Sequence, residues 1–202
     1  MTLLANHPQH SEIRERLRSN IVLRRLNPGA FDELAGALAI VDYRKGDVLL
    51  SQGAHEMEQY FVLDGILKRV VASSEGKEMI LLFAKEDDMD TSYAAWRLRT
   101  PAPYSIRAVT KARVAKLPLP QWAEFLDAHP EMKEDFEYEV MFLMSEVMAH
   151  TITLHLLDAP GRVHRFVRKH ADLAERVPKK ELASYLNLSA ETLSRLKHSG
   201  KI

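Results

Sequence analysis

The residues whose types and spacing best suit chemistry lie near the C-terminal end, between Val177 and His198 of the 202-residue chain. Their chemistry is recognition rather than bond-making. Arg195 can donate two parallel hydrogen bonds to guanine O6 and N7, and Glu191 can accept from cytosine N4. The two stand about one helical turn apart, and Ser194 beside them can reach a base or a phosphate. Lys179, Lys180 and Lys197 suit phosphate contacts, which position a protein on a duplex without reading its sequence.

Such side chains work only if two short helices hold them. Pro178 sits where a helix can begin, and Lys179–Tyr185 reads as the first helix. Leu182 and Ala183 face inward, with Ala183 small enough for a close crossing. Asn187 suits a left-handed turn position, since asparagine tolerates positive φ better than most residues. Leu188 plugs the joint, and Ser189 caps a second helix with Glu191 and Thr192 in its first turn. Leu193 and Leu196 then face the first helix, leaving Glu191, Ser194, Arg195 and Lys197 exposed. This is a helix-turn-helix pattern, in which the N-terminal end of the second helix enters the major groove. The alternative is a helical hairpin that serves only packing.

Charge favours the first reading. From Ala159 to Ile202 there are ten Lys or Arg against four Asp or Glu, while the remaining residues hold eighteen against twenty-four. A net charge of zero thus conceals a basic end behind an acidic body, the footprint of a polyanion-binding end.

Ahead of this end the texture is different. Ser11 to about Asn27 reads as a helix with Ile13, Leu17 and Ile21 on one face, and Ala30–Ala39 as a second. Between Val41 and Leu117 come short apolar runs separated by turns: Val48–Leu50, Tyr60–Leu63, Lys68–Ala72, Met79–Phe83, Tyr104–Val109 and Arg113–Leu117. Many short strands at near-regular spacing predict a jelly-roll β-barrel. From about Pro130 a long helix is predicted, with Phe136, Val140, Leu143, Val147, Thr151 and Leu154 at alternating spacings of four and three. That near-heptad seam suits pairing of two copies, or packing of one core helix. Met141, Met144 and Met148 widen the stripe, and Pro160-Gly161 is expected to end the helix. The expected organisation is α+β: helices over 1–40, a barrel over 41–118, a dimerisation helix region over 119–158 and a helix-turn-helix domain over 159–202.

Other chemistry finds little support. The chain has no cysteine, which removes disulfides, thiol switches and cysteine-ligated metals. There is no nucleophile elbow and no phosphate-cradling glycine loop, so no enzyme is expected. The nine histidines lack ligand spacing; His150 and His155 are five apart, off the shared face that i, i+4 would give. Surface histidines are expected, with no metal and no cofactor. The N-terminus lacks a signal-peptide pattern and no apolar run spans a bilayer, so the expected location is the cytoplasm.

Taken in order, barrel, long helix and helix-turn-helix resemble the Crp/Fnr family of bacterial transcription regulators, over about Ile21 to Arg195. The most specific stretch is Glu181 to Arg195, close to the family's Leu-Ala-x-x-Leu-Gly followed by Glu-Thr-x-Ser-Arg. Gly46 and Gly53 around Val48–Leu50, and Tyr60–Gly65, add to it. The resemblance implies a homodimer reading a palindromic DNA site, with base contacts at Glu191, Ser194 and Arg195. It also implies RNA polymerase as a partner and an effector pocket near Met89, Thr91 and Ala102. Departures from the family are equally informative. Where cyclic-nucleotide binders carry Phe-Gly-Glu, this chain aligns Met89-Asp90-Thr91, and the phosphate-binding Arg falls on Ala102. A phosphate there would meet Asp87, Asp88 and Asp90 with no opposing Arg, unless Arg97 or Arg99 slips into place. The expected effector is therefore an unknown small molecule other than a cyclic nucleotide. Only five residues follow Lys197, so the winged hairpin of other members is expected to be missing. A binding or interaction module whose helix-turn-helix does not touch DNA is the competing function.

Overall fold

The computed structural model describes residues 1–198, and the side chains of residues 1–196. The expected tail without a wing lies outside the described residues. The chain opens with a short strand β1 (Thr2–Leu3), then helices α1 (His10–Ser19) and α2 (Pro28–Ala37). Ile13 and Leu17 bury the inner face of α1. Asn27 caps α2, its side chain accepting from Ala30 N, with Pro28 in the first turn where no N–H is needed. The single helix expected from Ser11 to Asn27 is instead α1 followed by a 3-10 turn at Leu23–Arg25.

Eight further strands follow: β2 (Ala39–Tyr43), β3 (Val48–Leu50), β4 (Glu58–Asp64), β5 (Leu67–Ala72), β6 (Glu78–Ala84), β7 (Met89–Thr91), β8 (Ser105–Ala108) and β9 (Ala112–Pro118). They form two antiparallel sheets, β1-β2-β9-β4-β7 and β3-β8-β5-β6, wrapped into the jelly roll. The six runs read from sequence are all strands; β2 and the three-residue β7 are additional. A glycine is required at the β4–β5 turn. Gly65 has φ 87°, and a Cβ there would lie 2.2 Å from the carbonyl oxygen of Lys111. Between β7 and β8 lies the short helix α3 (Tyr93–Arg97).

After the barrel come α4 (Leu119–Ala128) and the long α5 (Pro130–Leu156). Trp122 of α4 and Phe136 of α5 are completely buried and meet at 5.2 Å, edge to face, which fixes the start of α5 on the barrel. Pro160 and Gly161 do not end α5. They lie in the first turn of α6 (Ala159–Lys169), which Asp158 caps by accepting from Gly161 N, because proline is tolerated at a helix start. Helices α7 (Ala171–Arg176), α8 (Lys179–Tyr185) and α9 (Ala190–His198) complete the described chain. No described helix is long and apolar enough to cross a membrane.

The core is divided unexpectedly. One cluster joins the N-terminal helices, the barrel interior, α4 and the start of α5. A second joins Ile66, Val70, Ile80 and Phe83 of the barrel to Phe166, Leu182, Tyr185 and Leu193 of the C-terminal helices. The C-terminal helices therefore share their apolar core with the barrel's outer face.

Candidate nucleic-acid interface and the barrel interior

Helices α8 and α9 are the predicted helix-turn-helix. Leu182, Ala183, Leu193 and Leu196 are buried between and behind them. Asn187 adopts φ 52° at the turn, and Leu188 N donates to Ala183 O at 2.9 Å to close it. Ser189 caps α9: its Oγ accepts from Thr192 N at 3.0 Å. With the cap set, Glu191 and Arg195 lie exposed on one face, with Thr192 and Ser194 half-buried beside them. Lys179 and Lys180 are exposed at the start of α8. The side chain of Lys197 lies outside those described.

The same two helices are clasped to the barrel. Lys68 Nζ donates to Glu181 Oε2 at 2.6 Å, with the two side chains 10% and 21% exposed. Arg176 donates to both carboxylate oxygens of Glu86 at 2.8 and 2.6 Å. Its guanidinium holds Glu86 below the usual carboxylate range, against the opposing effect of burial. Lys85 pairs with Asp172 at 2.7 Å. Phe83 meets Tyr185 at 5.1 Å and Phe166 at 6.4 Å.

Inside the barrel the structure departs from expectation. Met89, Thr91 and Ala102 are all buried, but they are backbone-paired wall rather than an open cradle. Met89 and Thr91 lie opposite Phe61 and Gln59 of β4, and Ala102 exchanges backbone bonds with Gly53 and Ala54. The expectation that no arginine opposes the acidic turn fails. Arg69 of β5 donates from Nε to Asp90 Oδ1 at 2.7 Å, with side chains 2% and 1% exposed. Asp90 Oδ1 also accepts from Thr91 N at 2.8 Å. The Arg69 guanidinium lies 4.8 Å from the centre of the Tyr104 ring, and Tyr104 donates its hydroxyl proton to Thr91 O at 2.7 Å. Burial pushes the Asp90 carboxyl upward, opposed by the Arg69 charge, while Arg69 is held as a cation by Asp90 despite its burial. Arg69 Nη2, Asp90 Oδ2 and Ser92 Oγ are buried without a hydrogen-bond partner. Arg97 and Arg99 are exposed and do not enter the barrel. Arg69 was missed in the sequence because an arginine in an apolar strand run reads as an outward-facing residue.

The predicted seam on α5 is also redistributed. Phe136 is fully buried in the chain's own core, and Val140 and Leu143 pack partly against it. Val147 and Leu154 are half-buried, and Thr151 is exposed. Among the apolar residues left facing outward, Tyr138, Met141, Met144, Met148, Ile152 and Leu156 are each at least half exposed, and Phe142 is 47% exposed. A near-heptad pattern in a helix with two apolar faces does not say which face turns inward. Of the histidines, His150 departs from the expected surface position, being 8% exposed. Among the described residues no group of three or more His, Asp or Glu is placed to hold a metal.

Known proteins carry the same assembly. Residues 40–129 match the cyclic nucleotide-binding domain family. The cAMP-activated global transcriptional regulator CRP of Salmonella typhimurium is 20% identical over 164 residues, covering 76% of this chain and 78% of that protein. The solved structure of the c-di-GMP-responsive global regulator CLP from Xanthomonas campestris superposes with a TM-score of 0.71 at 15% identity, over 86% of this chain and 92% of that one. FixK2 from Bradyrhizobium japonicum gives 0.68 at 18% identity, over 81% and 86% of the two chains. With a stretch that matches the cyclic nucleotide-binding domain family ahead of a long helix and a C-terminal helical unit, the chain shares the fold of these solved structures.

Proposed function

We propose that the protein is a sequence-specific, homodimeric DNA-binding regulator that reads its operator through α9. The carrying observation is the capped, outward-facing start of α9, which displays Glu191 and Arg195 one turn apart beside Thr192 and Ser194. Arg195 is assigned to guanine and Glu191 to cytosine, while Lys179, Lys180 and Lys197 take phosphates. Ser189 acts mainly as the cap that aims them. CRP, named as a transcriptional regulator, supports this reading by analogy of fold and order, and RNA polymerase would be the partner of DNA-bound protein.

The dimer is assigned to the exposed α5 stripe of Tyr138, Met141, Met148 and Ile152, whose spacings of three, seven and four suit a helix seam. Two α9 helices related by the dimer axis would meet half-sites about one DNA turn, roughly 34 Å, apart.

The barrel's proposed effector is not a cyclic nucleotide. Entry of a cyclic phosphate would require breaking the Arg69–Asp90 pair, or placing a second anion beside Asp90. Strand β5 offers a route from barrel to DNA-reading end: Arg69 points inward to Asp90, and its neighbour Lys68 points outward to Glu181 of α8. A molecule that engages Arg69 would act on both through one strand.

The competing reading, a module whose helix-turn-helix only packs, has one observation in its favour: α8 is docked on the barrel through Glu181 and Tyr185. Salt dependence separates the two. Binding to random-sequence duplex DNA should weaken steeply as salt rises, whereas an interaction module would show no such binding.

A further inference from the structure

Where α5, α6 and α8 meet there is a cavity of about 30 Å³. His150 of α5 lines it, 92% buried, with its ring stacked on Tyr185 of α8 at 3.8 Å and 9° between planes. Its Nε2 has no hydrogen-bond partner. A buried polar atom left unpaired is costly, and native interiors keep few of them unless water or an ion completes the bond.

The rest of the wall is cationic. Arg162 is held in place by two carbonyls, Nε donating to Leu157 O at 2.9 Å and Nη1 to Leu186 O at 3.2 Å. Arg165 is half-buried and has no hydrogen-bond or ion-pair partner among the described residues. Lys169 is paired with Glu146, the carboxylate of the wall. Three cations thus face one carboxylate that is already taken. His170 completes the set of titratable groups; burial, then Lys169, lowers its affinity for a proton.

We propose that this cavity binds a small inorganic oxyanion, phosphate or sulfate, between the guanidinium groups of Arg162 and Arg165 and the Nε2 of His150. The chemistry fits each wall group. Guanidinium forks match the paired oxygens of an oxyanion, and a neutral imidazole supplies one further N–H. Burial keeps the His150 ring neutral, its pKa lowered to about 4. The enclosed space is small, in keeping with a compact ion rather than a nucleotide. Bound there, the anion would tie the end of the long helix to α6 and to the first helix of the helix-turn-helix. The inference does not depend on whether α9 reads DNA.

The test is a phosphate titration of the full chain in chloride buffer at constant ionic strength, followed by the NMR signals of the His150 ring. A saturable shift is expected, at least about tenfold weaker in Arg165→Gln, since a charged hydrogen-bond partner contributes about 1.5–3 kcal/mol. The variant should melt at the parent's temperature in phosphate-free buffer. Should it not fold, Arg165→Lys, which loses the fork, must also weaken binding. A linear, non-saturating shift, or equal binding by the Arg165 variant, overturns the proposal. Adenosine monophosphate binding as tightly as phosphate would overturn the size argument. Displacement of phosphate by duplex DNA would assign the site to the DNA backbone instead of a free ion.

Discussion

Single residues carry the distinctive features of this chain. The Arg69–Asp90 pair is buried on both sides, and a buried pair is weak evidence of stability because desolvation offsets its attraction. Breaking it is different, since one charge is left alone. Asp90→Ala should lower the unfolding free energy by about 3–5 kcal/mol in urea denaturation, while Arg69→Met with Asp90→Leu should recover most of that loss. A small loss for Asp90→Ala would show that Arg69 finds water or another partner. His150 provides a second residue-scale prediction. Its pKa of about 4 in the fold lies below the ~6.5 of an unfolded histidine, so the unfolded chain binds the proton first as pH falls. Its contribution is present above about pH 6.5 and is lost toward pH 4. Asp88, raised by burial to about 6, works in the opposite direction over an overlapping range. The measurable quantity is therefore the difference between the parent and His150→Gln, which should narrow as pH falls from 7 to 4. A difference independent of pH would mean the ring is not held neutral. None of this was legible in the sequence. An arginine and an aspartate on separate strands give no local sign that they meet inside a barrel.

At the scale of elements, patterning was legible wherever one face decides the structure. The capped turn of α8 and α9 followed from Asn187, Ser189 and the leucine spacing, because those residues satisfy local backbone demands on their own. Six of the β-strands followed from their apolar runs and flanking turns, while β1, β2 and β7 did not. The seam of α5 did not follow, because both faces of the helix are apolar and only the barrel decides which turns inward. Two predictions belong here. Met141→Glu with Met148→Glu should convert the proposed dimer to monomer in sedimentation experiments and leave the melting temperature of the monomer fold nearly unchanged; a persistent dimer would place the interface elsewhere. Glu181→Gln should loosen the helix-turn-helix from the barrel. A double-mutant cycle with Lys68→Met should give a coupling of about 0.5–3 kcal/mol, and zero coupling would mean the clasp holds nothing.

For the whole molecule, the order of barrel, long helix and helix-turn-helix was readable from texture and charge. The packing of the C-terminal helices on the barrel was not. The second apolar cluster joins Phe83 and Ile80 of the barrel to Phe166, Tyr185 and Leu193, and such long-range packing leaves no trace in local periodicity. Its consequence is that barrel and helix-turn-helix are mechanically continuous through β5, Lys68 and Glu181. The central claim, that α9 reads DNA, is tested most directly by selecting a preferred duplex from a random pool and comparing the parent with Arg195→Ala by fluorescence titration across salt. The account predicts that the parent binds its selected site with steep salt dependence. Arg195→Ala should lose about 1–3 kcal/mol, with relaxed preference at one base pair per half-site. Equal affinity and equal selectivity in the two proteins would contradict it.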